Sequence, residues 1–113
     1  MAIILELETE EIIEGLKNLH SLKHRLQVLK GRAGITLIDD CYNANPVSMR
    51  AALDVLNILP KPHDSGRKIA VLGDMLELGK YTIDEHRTAG ILASRVAQVL
   101  VTVGLRMKFA VEE

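Results

Sequence analysis

Tryptophan is absent from this 113-residue sequence, which has one phenylalanine and two tyrosines. A core must therefore be built from Leu, Ile, Val, Ala and Met. The same scarcity argues against a surface for single-stranded nucleic acid, which interleaves basic residues with stacking aromatics. A surplus of charge is missing too: 14 basic residues stand against 15 acidic ones, for a formal net charge of -1. That balance offers no electrostatic footprint for nucleic acid or an anionic membrane. Cys41 is the single cysteine, so no internal disulfide can form and a reducing cytoplasm is the expected compartment. No apolar run approaches the roughly 18 residues of a membrane span. The apolar start at residues 1–5 meets Glu6 and Glu8 with no basic flank and no small-residue cleavage site. It does not read as a signal peptide, and looks like a cut through the end of a helix.

What is present is enough apolar material, 48% of residues, for one small domain. Thr9 can cap a helix with Glu10 and Glu11 in its first turn, the sign the helix dipole favours. Ile12, Ile13, Leu16 and Leu19 share one face of it, and Gly15 costs it about 1 kcal/mol, so the helix is expected to lean on a neighbour. Residues 20–24 read as a polar connection, residues 26–29 as a short strand, and residues 30–34 as a turn. Three apolar runs follow, at residues 35–38, 69–72 and 99–103. None alternates strictly, which predicts parallel strands buried on both faces. Between them, Asn45 and Pro46 open a helix with the stripe Met49, Ala52, Leu53 and Leu56. Thr82 and Glu85 form a capping box for a second, with the stripe Ala89, Leu92, Ala93 and Val96. Pro60, Pro62 and Gly66 mark the intervening loop. The predicted fold class is α/β: a Rossmann-like, three-layer open parallel sheet of order β-α-β-α-β, truncated after residue 103. Residues 104–113 begin something, read as a further helix.

Open α/β sheets bind ligands beyond the carboxyl ends of their strands. Here those ends carry residues 39–45 after the first strand, Gly73, Asp74 and Met75 after the second, and Gly104 after the third. The Asp40 carboxylate can accept two hydrogen bonds from a ribose diol or help hold a metal, or it can cap its own turn. Asn43 and Asn45 can orient a substrate, with helix capping as the alternative for Asn45. Gly73 can serve a turn instead of a site. His86, one turn into the second helix, faces the same edge. His20, His24 and His63 share no ligand spacing, so no metal site is expected. A G-x-G-x-x-G fingerprint is absent. The stretch from Gly73 to Lys80 has one residue too many for a P-loop, and Tyr81 stands where Ser or Thr would hold Mg²⁺. No Ser/His/Asp or Cys/His nucleophile arrangement is supported.

Two blocks carry a resemblance. The run Leu37-Ile38-Asp39-Asp40-Cys41-Tyr42-Asn43-Ala44-Asn45-Pro46, continued by residues 48–53, resembles the MurF branch of the Mur ligases. Residues 70–79, with His86 downstream, resemble the same branch, and His24-Arg25-Leu26 looks like the arginine that ends the family's central domain. The likeness covers roughly residues 9–104 and implies two parts: residues 1–24 as the end of the central ATPase domain with its hinge, and residues 25–113 as part of the C-terminal domain. It implies an ATP-dependent peptide ligase that adds D-alanyl-D-alanine to a UDP-N-acetylmuramoyl-tripeptide in peptidoglycan precursor synthesis. ATP with Mg²⁺ would phosphorylate the tripeptide carboxylate, and the dipeptide amine would attack the acyl phosphate. By position, Arg25 would reach the nucleotide phosphates and Asp40 the ATP ribose. Tyr42, Asn43 and Asn45 would line the adenosine and dipeptide side, with Gly73, Asp74, Met75 and His86 on the substrate-side loop. Cys41 stands where the family usually has Ser, and Val47 where an acidic residue is common.

The P-loop, the Mg²⁺ ligands and the modified lysine of the family's central domain lie outside this sequence. Without them phosphoryl transfer has no geometry, so the chain alone is expected to be inactive and to hold no tightly bound cofactor. Exposed strand edges allow a homodimer created by truncation. Alternative readings are another Mur or folylpolyglutamate-type amide ligase, a receiver-like signalling module, or a stand-alone Rossmann-like binding domain. The receiver reading is weakened because Asp74 follows one strand after the acidic pair and no Lys ends the last strand.

Overall fold

A computed structural model describes residues 7–20, 22–61 and 65–112. The apolar start at residues 1–5, and Pro62 and His63 of the central loop, lie outside the described residues. The elements run α1 (Thr9–Lys17), β1 (Gln27–Lys30), β2 (Thr36–Asp39), α2 (Pro46–Ile58), β3 (Ile69–Gly73), α3 (Thr82–Val96) and β4 (Val99–Val103). Short 3₁₀ turns occupy Arg32–Gly34, Gly79–Tyr81 and Met107–Ala110. The expected β-α-β-α-β order from β2 to β4 is therefore present, and the class is α/β.

Local chemistry explains the starts. The Asn45 side chain accepts from the amides of Val47 (3.0 Å) and Ser48 (2.9 Å), and the Asn45 amide donates to the Ser48 hydroxyl (3.1 Å). Pro46 follows at the first helical position, where a missing N–H costs nothing. Two expected caps differ. Thr9 lies inside α1, whose cap is Glu8; the Glu8 amide donates to the Glu11 carboxylate (2.9 Å). Thr82 is already helical, and its hydroxyl donates back to the Gly79 carbonyl (2.7 Å). At Thr82 a carbonyl three residues back takes the hydroxyl, and at the start of α1 the Glu8–Glu11 pair takes the capping role. Residues 107–110 form a 3₁₀ turn rather than a further α-helix.

The core is small. Met49 and Leu53 of α2, Ala70 and Leu72 of β3, Met75, Ala89 and Ala93 of α3, and Met107 enclose one another. Gly90 lets the 3₁₀ turn at Met107–Ala110 approach α3 so closely that a Cβ there would overlap the Ala110 backbone. Strand β3 pairs in parallel with β4, Ile69 opposite Val99 through Gly73 opposite Val103. Its burial alternates: Ala70 and Leu72 face the helices, while Ile69 and Val71 are exposed. The expectation of strands buried on both faces is thus corrected, because among the described residues the helices α2 and α3 cover one face only.

The sheet itself is divided. Strand β2 pairs antiparallel with β1, Gln27 opposite Asp39 through Lys30 opposite Thr36, and does not pair with β3. A cleft of about 530 Å³ separates β2 from β3. It is lined by consecutive residues of both strands, 36–41 and 69–74, with Met49, Leu53 and Leu56 of α2 as its floor. Alternate residues would line it if a sheet face looked into it; consecutive ones mean that two strand edges do. The N-terminal elements also stand apart. No residue of α1 is buried, so the expected neighbour for its apolar stripe is not found among the described residues. The radius of gyration is 17.1 Å, against about 13 Å for a compact chain of this size.

Two substitutions test this layout. Gly90→Ala should lower the unfolding free energy by about 1–3 kcal/mol through overpacking against Ala110. Gly15→Ala, with nothing within 4 Å of the new methyl, should raise helicity and leave the core's midpoint unchanged. Urea unfolding and far-ultraviolet circular dichroism read the two effects separately.

Candidate functional site

The rim of the cleft is built by the carboxyl ends of β2 and β3. Asp39, Asp40, Cys41 and Asn43 line it from one side, Gly73 and Asp74 from the other. These are strand-end residues, as the topological rule requires. Their carboxylates are partly spent on their own backbone. One Asp40 oxygen accepts from the Leu26 amide (2.9 Å), which ties the segment before β1 to the end of β2. The tie is doubled by the Tyr42 amide donating to the His24 carbonyl (3.1 Å). Asp40 keeps a second oxygen with its lone pairs for a ligand. Arg25, carried by this segment, lies over the Tyr42 ring at 4.2 Å from its centroid. Arg25 and Tyr42 therefore form one stacked pair beside the rim, with Tyr42 66% exposed.

Asp74 holds the opposite rim. One of its oxygens accepts from the amides of Arg106 (2.9 Å) and Met107 (2.8 Å), and the Arg106 guanidinium lies 3.7 Å from the other. Gly104, at φ +110°, clears the space; a side chain there would collide with the Asp74 carboxylate. Burial pulls the Asp74 pKa upward, but the two amides, with help from the Arg106 charge, win and hold it below its ordinary value of 3.8.

Asp39 accepts from its neighbour's amide, Cys41, at 3.3 Å and meets the His24 ring nitrogen at 2.7 Å. Cys41 and His24, both bonded to it, hold Asp39 below its ordinary value against the effect of burial. The same carboxylate, together with burial, pushes the Cys41 thiol up.

Other candidate residues lie elsewhere. Asn45 is committed to capping α2. Met75 and His86 are fully buried and do not line the cleft. The His86 Nε2 accepts from the Met75 amide (3.1 Å), and its Nδ1 meets the Thr82 carbonyl at 2.6 Å, which assigns the proton to Nδ1. His86 thereby pins the loop after β3 to α3. Arg106 was missed by sequence reading. Its only signal was a basic residue shortly after a strand-end glycine.

The described fold has counterparts of known sequence and structure. The family described as "Mur ligase, glutamate ligase domain" matches residues 24–112. The chain belongs to this family. Among curated Mur ligases, the UDP-N-acetylmuramoyl-tripeptide--D-alanyl-D-alanine ligase of Mycobacterium tuberculosis (strain ATCC 25618 / H37Rv) is 50% identical over 84 residues, 73% of this chain and 16% of that protein. The ligase of the same name from Bacillus subtilis (strain 168) is 39% identical over 85 residues, 75% of this chain and 18% of that protein. The crystal structure of MurF from Acinetobacter baumannii matches with a TM-score of 0.83 and 38% identity, over 98% of this chain and 23% of that one. The MurF ligase of Thermotoga maritima in complex with ADP matches at a TM-score of 0.76 and 25% identity, over 87% of this chain and 22% of that one. This Mur ligase chain thus spans less than a quarter of the length of these relatives.

Two measurements probe the rim. His86→Ala should leave the buried Met75 amide unpaired and a cavity where the ring packed, and cost roughly 3 kcal/mol of stability in urea unfolding. Because the folded Asp74 pKa lies below 3.8, its carboxylate adds stability above that value, and the gain is lost as pH falls through the folded pKa. Acidification below pH 3.8 should therefore lower the urea midpoint less in Asp74→Asn than in the wild type; equal losses would remove Asp74 from the account.

Proposed function

We propose that this chain serves as the nucleotide-facing closing part of an ATP-dependent ligase that joins D-alanyl-D-alanine to UDP-N-acetylmuramoyl-tripeptide. The observation that carries the proposal is the rim: Asp40, Asn43, Gly73 and Asp74 share one cleft in a chain up to 50% identical to ligases of that name. In this reading residues 1–24 close the central ATPase domain and residues 25–113 belong to the C-terminal domain. Localisation in the cytoplasm, where such precursors are made, is part of the proposal, and no helix among the described residues is long and apolar enough to cross a membrane.

The residues fit the sugar and base of ATP. The free Asp40 oxygen is placed to accept from a ribose hydroxyl, as a carboxylate does in nucleotide sites. The exposed Tyr42 ring offers a flat apolar face, and Arg25 stacked on it offers a cation that could swing to the phosphates. Asn43 lines the cleft beside them. Asn45, Met75 and His86 act through structure: Asn45 caps α2, and His86 with buried Met75 fixes the Gly73–Asp74 turn. Mg²⁺ bound with ATP takes most of its oxygens from phosphates and water, and the protein ligands it would need belong to the central domain in this reading. No step is assigned to that ion here.

In the reaction the family name implies, this chain's part is positional. Binding ATP between Asp40 and the central domain would bring β2 and β3 down over the acyl phosphate and exclude water. The unpaired edges of β2 and β3 are the surfaces left for the remainder of the domain, or for a second copy when this chain stands alone.

Asp40→Asn tests the nucleotide role in the full-length ligase, since the amide variant keeps an acceptor for the Leu26 amide and loses the charge. The KM for ATP should rise about tenfold or more, with kcat and the dipeptide KM changed far less. Unchanged ATP kinetics would remove the role. The 113-residue chain by itself should show neither ATPase nor ligase turnover.

A further inference from the structure

Outside that reading lies a cluster at the start of the hinge. His24 Nδ1 sits 2.7 Å from an Asp39 oxygen, and the Cys41 sulfur lies 3.5 Å from the same nitrogen. One ligand atom from each of the three residues falls within 4.8 Å of the other two. A Cys-His-Asp nucleophile relay would place the thiol and the carboxylate on opposite ring nitrogens. Here both meet Nδ1, so the three groups converge on one point instead of forming a chain.

We propose that His24, Asp39 and Cys41 form a binding site for a borderline-soft divalent cation of the Zn²⁺ type, with the fourth position open to water. The donor set selects the ion. Imidazole nitrogen, thiolate sulfur and carboxylate oxygen are the ligands of tetrahedral Zn²⁺ sites, and three protein ligands plus water is the open form. Ca²⁺ and Mg²⁺ require at least six oxygens and are excluded by the same set. On binding, Cys41 releases its thiol proton to solvent, the cation takes the place of the proton between His24 Nδ1 and Asp39, and His24 ligates as the neutral imidazole with its one proton on Nε2.

The ligands are held in advance. The Tyr42 amide on the His24 carbonyl and the Leu26 amide on Asp40 lock residues 24–26 against residues 40–42, and the Cys41 amide on Asp39 fixes the turn that carries two of the ligands. His24 adopts φ 62°, a left-handed conformation that few non-glycine residues take. Access is open, because Cys41 is exposed and the His24 and Asp39 side chains are 39% and 17% exposed. The nucleotide reading uses none of these three side chains, so the site does not depend on it.

Co²⁺ titration of the 113-residue chain, followed by ultraviolet–visible absorption, tests the proposal. One equivalent should produce a thiolate-to-cobalt charge-transfer band with the intense visible bands of four-coordinate cobalt, and Zn²⁺ should displace both. Cys41→Ser should abolish the charge-transfer band. His24→Gln and Asp39→Asn should each weaken Zn²⁺ binding by at least about tenfold, while His20→Gln leaves it unchanged. Absence of the band would overturn the proposal. So would a band and affinity that survive both His24→Gln and Asp39→Asn, because the thiol alone would then be the ligand. Circular dichroism confirms that each variant folds; if Asp39→Asn does not, exposed Cys41 and half-exposed His24 decide the outcome.

Discussion

The hydrogen bond from the Leu26 amide to the Asp40 carboxylate, 2.9 Å long, places everything at the candidate site. It joins the segment that carries His24 and Arg25 to the end of strand β2. Together with the Tyr42 amide on the His24 carbonyl, it sets Arg25 over Tyr42 and His24 against Asp39. The bond uses one oxygen of a carboxylate that has two, so it can organise the site and still leave an acceptor for a ligand. Across the cleft Asp74 does the equivalent work, drawing the turn after β4 onto the turn after β3. Both rims are therefore rigid for the same reason: an acidic side chain at a strand end takes up backbone donors that no strand partner satisfies.

Much of this was legible in the sequence. The stripe Met49, Leu53, Leu56 and the capping pair Asn45–Pro46 predict α2, and both features are present. The runs at residues 69–72 and 99–103 predict β3 and β4, which pair in parallel. The acidic strand ends were readable from topology alone, since an α/β sheet puts its ligands there. Less was readable where the outcome depends on distant groups. The division of β2 from β3 cannot be seen locally, because each run is a good strand whichever neighbour it has. His24 looked isolated, being 15 residues from Asp39 and 17 from Cys41 in the chain. Its left-handed backbone, and that of Leu26 at φ 46°, oppose the usual preference of those residues and carry no compositional sign. The capping misreadings at Thr9 and Thr82 have a common origin: a hydroxyl near a helix start has several backbone partners within reach, and spacing does not choose among them.

The arrangement also explains why so many apolar side chains are exposed. Ile69, Val71, Val101 and Val103 present one continuous sheet face to solvent, and Ile13, Leu16 and Leu19 do the same along α1 and just beyond it. The relatives are roughly four to five times longer than this chain. The compact part around α2, β3, α3 and β4 has small side chains that let the layers approach closely. Ala70, Ala89, Gly90 and Ala93 leave little room for substitution there. The rim residues are thus mounted on the best-packed portion of the molecule on one side and on a hydrogen-bonded hinge on the other.

The most direct measurement is a segment exchange. Residues 24–112 of this chain would replace the matching segment of the Bacillus subtilis UDP-N-acetylmuramoyl-tripeptide--D-alanyl-D-alanine ligase, to which the chain is 39% identical over 85 residues. ATP-dependent joining of D-alanyl-D-alanine would then be assayed in the chimera. The account predicts a chimera that ligates, with an ATP KM close to that of the parent enzyme. A chimera that folds and binds its UDP substrate but joins no dipeptide would contradict it.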